Sequence, residues 1–285
     1  PWHSASASGG GGREDFRMEE KVTELMRQAA RQAILPRFRL LRAEDIEEKS
    51  PGETVTAADR EAEALLTAGL QALLPGALVM GEEATSMQSQ RRIDAAAASE
   101  LWVVDPLDGT ANFVAGSPIF AVMVALIRDG ETVMSWMLDP LTDTLAFAKK
   151  GAGAYLDGQR VHAPQTPLAL EQLRGAIFTR FLPPALKTHI EACQGHLAQV
   201  LPGMRCSGHE YPAIAQGRQN FVLFWRTEPW DHAPGALFMA EAGAHVARPD
   251  GSPYRPLDGG QGLLVADNLG NWNLLAQLLS DRTIG

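Results

Sequence analysis

The chain has 285 residues, 45 % of them hydrophobic and 21 % charged, a composition typical of soluble globular proteins and long enough for a sizeable core. Its 25 basic and 34 acidic residues leave a net charge of −9, which argues against a nucleic-acid polymer as partner and requires local positive charge to meet any anionic substrate. No apolar run reaches the length of a membrane span, and two cysteines, Cys193 and Cys206, give neither a disulfide framework nor a metal-knuckle spacing, so reduced thiols and a cytoplasmic setting are expected.

Residues 1–17 are small, polar and glycine-rich, with no apolar signal core; they are expected to be a disordered tail or a foreign remnant ahead of a native start at Met18. From Asp15 to Ile34 the apolar residues Val22, Leu25, Met26, Ala29, Ala33 and Ile34 recur at helical spacing. A second helix is predicted over Ala57–Leu74, closed by Pro75-Gly76, and Pro51-Gly52 marks a loop or hairpin between the two. "ALVMGEE" reads as a short buried strand ending in acid, followed by a polar excursion and the strand "LWVVD". From Pro118 the pattern becomes an antiparallel meander: 119–127, 131–138, 144–150 and 153–158, joined by short turns. After about Pro167 strands alternate with helices: strands at 175–179, 220–225 and 262–267, helices at 184–201, 210–218, 229–243 and 271–280. The expected organisation is therefore α+β and α/β, in layers, with an N-terminal α+β half over 18–166 and a C-terminal α/β half over 167–285.

The segment "LWVVDPLDGTANF" carries the chemistry. Pro106 offers no ladder N–H, so the strand is expected to stop at Asp105. Asp105 and Asp108 stand three apart in a turn and can converge on one point, with the Leu107 carbonyl between them as a third oxygen. Gly109 permits backbone geometry closed to other residues, and Thr110 opens a short helical stretch whose first amides suit a phosphate. Oxygen-only ligands favour magnesium over zinc. Three further acids sit at element ends: Glu82 (with Glu83) after a strand, and Asp59 and Asp231 at helix starts. Each has an ordinary structural reading, as a cap, a turn residue or a solvated pair. Their joint placement at strand C-termini and helix N-termini is where α/β folds build sites.

"DPLDGTANF", "GEE" after a strand, "PWDHAPG…EAGA" and "KSPGETVTAAD", in this order, resemble the inositol monophosphatase family of magnesium-dependent phosphatases. The resemblance implies a layered αβαβα sandwich of the inositol monophosphatase and fructose-1,6-bisphosphatase type. By it, Glu82, Asp105 and the Leu107 carbonyl hold a first Mg²⁺, Asp105, Asp108 and Asp231 a second, and a third, weaker ion leans on the first-site glutamate. It also implies that Asp59 pairs with Thr110, whose hydroxyl orients the attacking water, that the Gly109 and Thr110 amides hold phosphate oxygens, and that the protein is a homodimer. Lys49 matches the family's basic residue ahead of "VTxxD", one residue nearer to it. Two positions depart from the pattern. Glu53 replaces a frequent aspartate, and Phe224 stands where inositol-specific members carry an acid that grips sugar hydroxyls.

The implied reaction is hydrolysis of a small-molecule phosphate monoester, with metal charge offsetting both the phosphate dianion and the leaving alkoxide. Candidate substrates are an inositol phosphate, histidinol phosphate, a sugar bisphosphate or a 3′-phosphonucleotide. Phe224 lowers the first, and no basic cluster in the sequence favours a second phosphate. The alternative of another class is a non-catalytic, metal-responsive binding protein with the same fold; a lapsed enzyme is expected to lose at least one of Thr110, Asp59 and the four acids, and none is lost.

Overall fold

The computed structural model describes residues 10–86 and 94–280, so residues 87–93 of the polar excursion before "LWVVD" and residues 1–9 of the expected tail lie outside the described residues. Helix α1 begins at Gly10, inside the stretch set apart as tail, and runs to Ala29 before one π-turn over Ala30–Ile34. A hairpin of β1 (Ile46–Ser50) and β2 (Glu53–Thr56) turns at Pro51-Gly52 and leads into α2 (Ala57–Leu73). Strand β3 (Leu78–Gly81) runs into the short α3 (Glu82–Ser86).

Strands β3, β4 (Glu100–Asp108), β5 (Ala121–Arg128), β6 (Glu131–Asp139), β7 (Thr144–Lys149), β8 (Gly153–Leu156) and β9 (Gln159–Val161) form a seven-stranded sheet in sequence order. Only the β3–β4 pair is parallel. Strand β4 does not stop at Asp105 as expected. Its pairing with β5 breaks between Asp105 and Asp108 and resumes at Asp108 opposite Ala121. Pro106 is accommodated inside that irregularity, where no ladder N–H is needed.

A five-stranded sheet follows, ordered β11 (Gln199–Leu201), β10 (Arg174–Ile177), β12 (Phe221–Phe224), β14 (Leu263–Ala266), β13 (His245–Ala247). The helix predicted over 184–201 is in fact α5, Pro184–Cys193, then a 3₁₀ turn and strand β11. Gly195 weakens the helix there, and the backbone of 199–201 gains parallel pairing with β10, so tertiary pairing overrides the helical spacing.

Three apolar clusters stack these elements into layers. Even-numbered β5 residues Val122, Val124 and Leu126 join Trp102, Trp136 and Phe147 against Met26, Ala33, Leu66 and Leu70 of the α1–α2 layer. The opposite face, with Ala121, Met123 and Met137, packs on Tyr211 and Ile214 of α6 (Ser207–Ala215) and Phe238 and Met239 of α7 (Pro229–Glu241), which also meet Val222 and Val265 of the second sheet. The outer face of that sheet, with Phe221, Leu223 and Leu264, buries Ile190 of α5 and Trp272, Leu275 and Leu278 of α8 (Leu269–Ser280). The order is αβαβα, and each fully buried Phe or Leu in it contributes about 1.5–3 kcal/mol of transfer free energy. The α6–α7 layer places its N-terminal ends beside the end of β4. Among the described residues no helix is long and apolar enough to cross a membrane.

Candidate active site

The ends of four elements meet in one cleft of about 250 Å³, and its lining includes Glu82, Asp105, Leu107, Asp108, Thr110 and Asp231. Asp105 is held by its own turn: its Oδ1 accepts the Leu107 N–H at 2.9 Å. The Leu107 side chain is fully buried in the core, which fixes the turn, while its carbonyl accepts from Thr110 at 3.0 Å. Asp108 is held by the start of α6, through Gly208 N (2.7 Å), Ser207 Oγ (2.9 Å) and Cys206 Sγ (3.3 Å), all donating to Oδ2. That clamp was not foreseen in the sequence, since nothing in "MRCSGHE" marks it as facing the DPLDGT turn.

Gly109 adopts φ +87°, and a Cβ there would lie 3.0 Å from the Ile119 carbonyl oxygen and 3.3 Å from Cys206 Cβ. Left-handed geometry and close approach together require glycine. It begins α4 (Thr110–Val114), so the amides of Gly109 and Thr110 open that helical turn.

Asp59 does two jobs. As the third residue of α2 it closes a capping box, its Oδ2 accepting the Thr56 N–H at 2.8 Å and the Thr56 hydroxyl at 2.6 Å. Its other oxygen accepts the Thr110 hydroxyl at 2.9 Å. Burial raises the Asp59 carboxyl to about 6, opposed by the bonds from Thr56 and Thr110.

Asp231 lies in the first turn of α7, but the N-cap is Glu228, so capping does not account for it. Its carboxylate accepts no hydrogen bond among the described residues, and its oxygen, with those of Asp105 and Asp108, falls in a group whose members all lie within 4.8 Å of one another. Burial raises the Asp105 and Asp231 carboxyls well above the usual range, with Glu82 and their own neighbours adding to it. Asp108 is raised by burial too, and the α6 donors oppose this. A carboxylate without donors beside two crowded ones, with a backbone carbonyl at hand, is a donor set that fits a hard divalent cation.

Glu82 opens α3 in the same cleft, where Lys49 bridges Glu82 Oε1 at 2.7 Å and Glu83 Oε1 at 2.6 Å. Burial lowers the Lys49 ammonium, yet the two carboxylates outweigh it and hold it above its usual value. Burial and Glu82 push Glu83 up to about 8. Glu63 from α2 accepts the Glu83 and Ala84 amides at 2.7 and 2.9 Å and so caps α3, a second support missed in the sequence.

His232 turns away from the acids. Tyr211 OH donates to its Nδ1 at 2.8 Å and its Nε2–H donates to the Arg226 carbonyl at 3.0 Å, while burial lowers it to about 3. Phe224 lines the cleft, its ring stacked on Phe178 at 5.0 Å and 15° and 4.5 Å from the His232 ring. The expectation of no basic cluster needs correcting. Arg180, Arg205 and Arg226, from three separate loops, join Lys49 in lining the cleft. They are dispersed in sequence, and only the fold gathers them.

The sequence profile of the inositol monophosphatase family matches residues 18–284. An inositol-1-monophosphatase of Rhizobium meliloti is 33 % identical over 220 residues, spanning 74 % of this chain and 78 % of its own. Nus factor SuhB of Vibrio cholerae is 30 % identical over 207 residues, spanning 70 % and 73 %. The structure of an IMPase from Thermotoga maritima shares the fold at a TM-score of 0.77, covering 95 % of this chain and 100 % of that one at 22 % identity.

Proposed function

Since the chain belongs to the inositol monophosphatase family, we propose that it is a magnesium-dependent phosphatase that hydrolyses a small-molecule phosphate monoester. The observation that carries this reading is the Thr110–Asp59 hydrogen bond, 2.9 Å long, at the edge of the acid cluster. Capping α2 accounts for one oxygen of Asp59; the other, turned to a hydroxyl that lines the cleft, is what orienting a water for attack requires.

Magnesium would be held by Glu82, Asp105, Asp108, Asp231 and the Leu107 carbonyl, as two or three ions, and when bound supplies charge neutralisation of the phosphate and activation of water. The chain's own residues do the rest. The Thr110 hydroxyl has one proton and two acceptors, Asp59 and the Leu107 carbonyl. Donation to the carboxylate, the charge-assisted bond, leaves a lone pair on Oγ1 to accept from the attacking water. As the water oxygen bonds to phosphorus and the ester P–O bond breaks, Thr110 and Asp59 orient the water and take its departing proton, which Asp59 later returns to bulk water, while the leaving alkoxide takes a proton from solvent water and departs as the alcohol. The amides of Gly109 and Thr110 take phosphate oxygens, and Lys49 steadies Glu82 and Glu83. Phe224 faces the alcohol portion of the ester.

The same reading takes the protein as cytoplasmic, which two buried cysteines outside any disulfide suit, and as a homodimer folded in halves 18–166 and 167–285. The test is phosphate release from inositol 1-phosphate, histidinol phosphate, fructose 1,6-bisphosphate and a 3′-phosphonucleotide, with and without Mg²⁺. Turnover is expected only with the metal. Full turnover in excess chelator, or none on any ester, refutes the reading.

A further inference from the structure

Among the described residues four Lys and Arg side chains line the cleft; two are neutralised by acids of the chain and two are not. Lys49 is bridged to Glu82 and Glu83, and Arg226 is paired with Glu53. Among the described residues Arg180 donates to the carbonyls of Pro51 (2.9 Å) and Gly52 (3.2 Å) and to no side chain. Among the described residues, no carboxylate pairs with Arg180 or Arg205, though the chain carries nine more acids than bases. Arg205 is exposed and held at φ +56°, where a non-glycine residue is uncommon. Asn112, one turn beyond the DPLDGT segment, pins that loop through the Met204 carbonyl at 2.8 Å. The Arg180 guanidinium is thus held at the cleft by backbone carbonyls and the Arg205 backbone by Asn112, while among the described residues neither charge is answered by a carboxylate.

The cleft also carries a flat, apolar wall. Phe224 and Phe178 stack face to face at 5.0 Å, and Phe181 lies beneath both Arg226 (4.3 Å to the ring centre) and Arg180 (4.9 Å). A polyol laid on this wall meets rings where it needs acceptors, and a cationic alcohol meets like charge. A planar ring carrying an anion satisfies both features, by stacking and by fork-like donation.

We propose that the cleft selects phosphate monoesters whose alcohol portion carries both a flat ring and a second anionic group, the ring against Phe178 and Phe224 and the anion on Arg180 and Arg205. The proposal rests on the phosphatase reading for the placement of the reacting phosphate. Water attacks that phosphate, the ester P–O bond breaks, and the ring-bearing alkoxide leaves with a proton taken from solvent water; the second anion is not transformed.

The experiment compares kcat/KM, with Mg²⁺, for adenosine 3′,5′-bisphosphate (ring and second anion), adenosine 3′-monophosphate (ring only), fructose 1,6-bisphosphate (second anion only), inositol 1-phosphate (neither) and histidinol phosphate (cation). The adenosine bisphosphate is expected to lead, with inositol 1-phosphate and histidinol phosphate last. In Arg180→Gln and Arg205→Gln, the preference for the bisphosphate over the adenosine monophosphate should fall roughly ten- to a hundredfold, through KM, as for loss of a charge-assisted hydrogen bond. Equal or better turnover of inositol 1-phosphate, or an unchanged preference in both variants, overturns the selectivity while leaving hydrolysis standing. Calorimetry of the bisphosphate on Asp59→Asn separates the two readings. Binding that weakens with Arg180→Gln or Arg205→Gln, in a protein that hydrolyses none of the five esters, upholds the selectivity and refutes the phosphatase. No binding and no turnover refutes both.

Discussion

Replacing Asp231 by asparagine removes one charge from three carboxylates whose oxygens lie within 4.8 Å of one another. At that separation and an effective dielectric constant of about 20, each ionised pair repels by about 3 kcal/mol. Proton uptake by the crowded acids relieves much of this, in keeping with the raised Asp105 and Asp231 carboxyls, so a net gain on the order of 1 kcal/mol remains for the metal-free protein. Asp231 accepts no hydrogen bond that asparagine would forfeit, and it is not the helix cap. Asp231→Asn should therefore melt about 2–4 °C above the wild type in chelator. With Mg²⁺ at roughly 100 times its Kd, the wild type should gain about 2.7 kcal/mol by linkage, and the variant most of that less, together with loss of turnover. Thermal denaturation with and without Mg²⁺ reads both effects. A variant less stable than wild type in chelator, with its magnesium response intact, would show that Asp231 is a structural residue and that the acids do not form one cation site.

The proton path is tested by Thr110→Val and Asp59→Asn, which should each slow kcat by ~10²–10⁴-fold with metal binding retained; because they act as one unit, the double mutant should be little worse, and multiplicative losses would separate them. Burial raises Asp59 from 3.8 to about 6, so the ionised form that accepts the Thr110 proton is depleted at acid pH. The kcat profile should carry an acid limb at or below about pH 6 that disappears in Asp59→Asn. The same shift has a stability sign: a folded value above the unfolded one favours the fold fully below about 3.8, and this contribution is lost as pH rises through about 6. Urea titrations should accordingly show Asp59→Asn gaining on the wild type between pH 4 and 7, by up to ~3 kcal/mol less any hydrogen bond it forfeits. Tyr211→Phe leaves the buried Nδ1 of His232 without its donor and should cost about 1–3 kcal/mol by urea denaturation, with Arg226 and Asp231 placed less firmly; an unchanged midpoint would mean the bond contributes nothing.

Local patterns of the sequence determined the strand running into DPLDGT, the capping position of Asp59, the hairpin at Pro51-Gly52 and the antiparallel meander that begins with β5, because caps, turns and strand signals are short-range properties. The candidate site was legible for the same reason: its acids lie at element ends, and a glycine at φ +87° was called for by its turn. What lay beyond reach depended on partners distant in the chain. Strand β4 continues past Pro106 only because β5 offers pairing on the far side of an irregularity. Residues 199–201 are a strand because β10 is there to receive them. Asp108 gains its donors from residues 206–208, Asp231 meets Asp105 and Asp108 from the far half of the chain, and Lys49, Arg180, Arg205 and Arg226 share one cleft although no window of sequence contains them all. Short-range stereochemistry and periodicity are written along the chain. Which charges face one another, and which are left unanswered, follows only from how the layers stack.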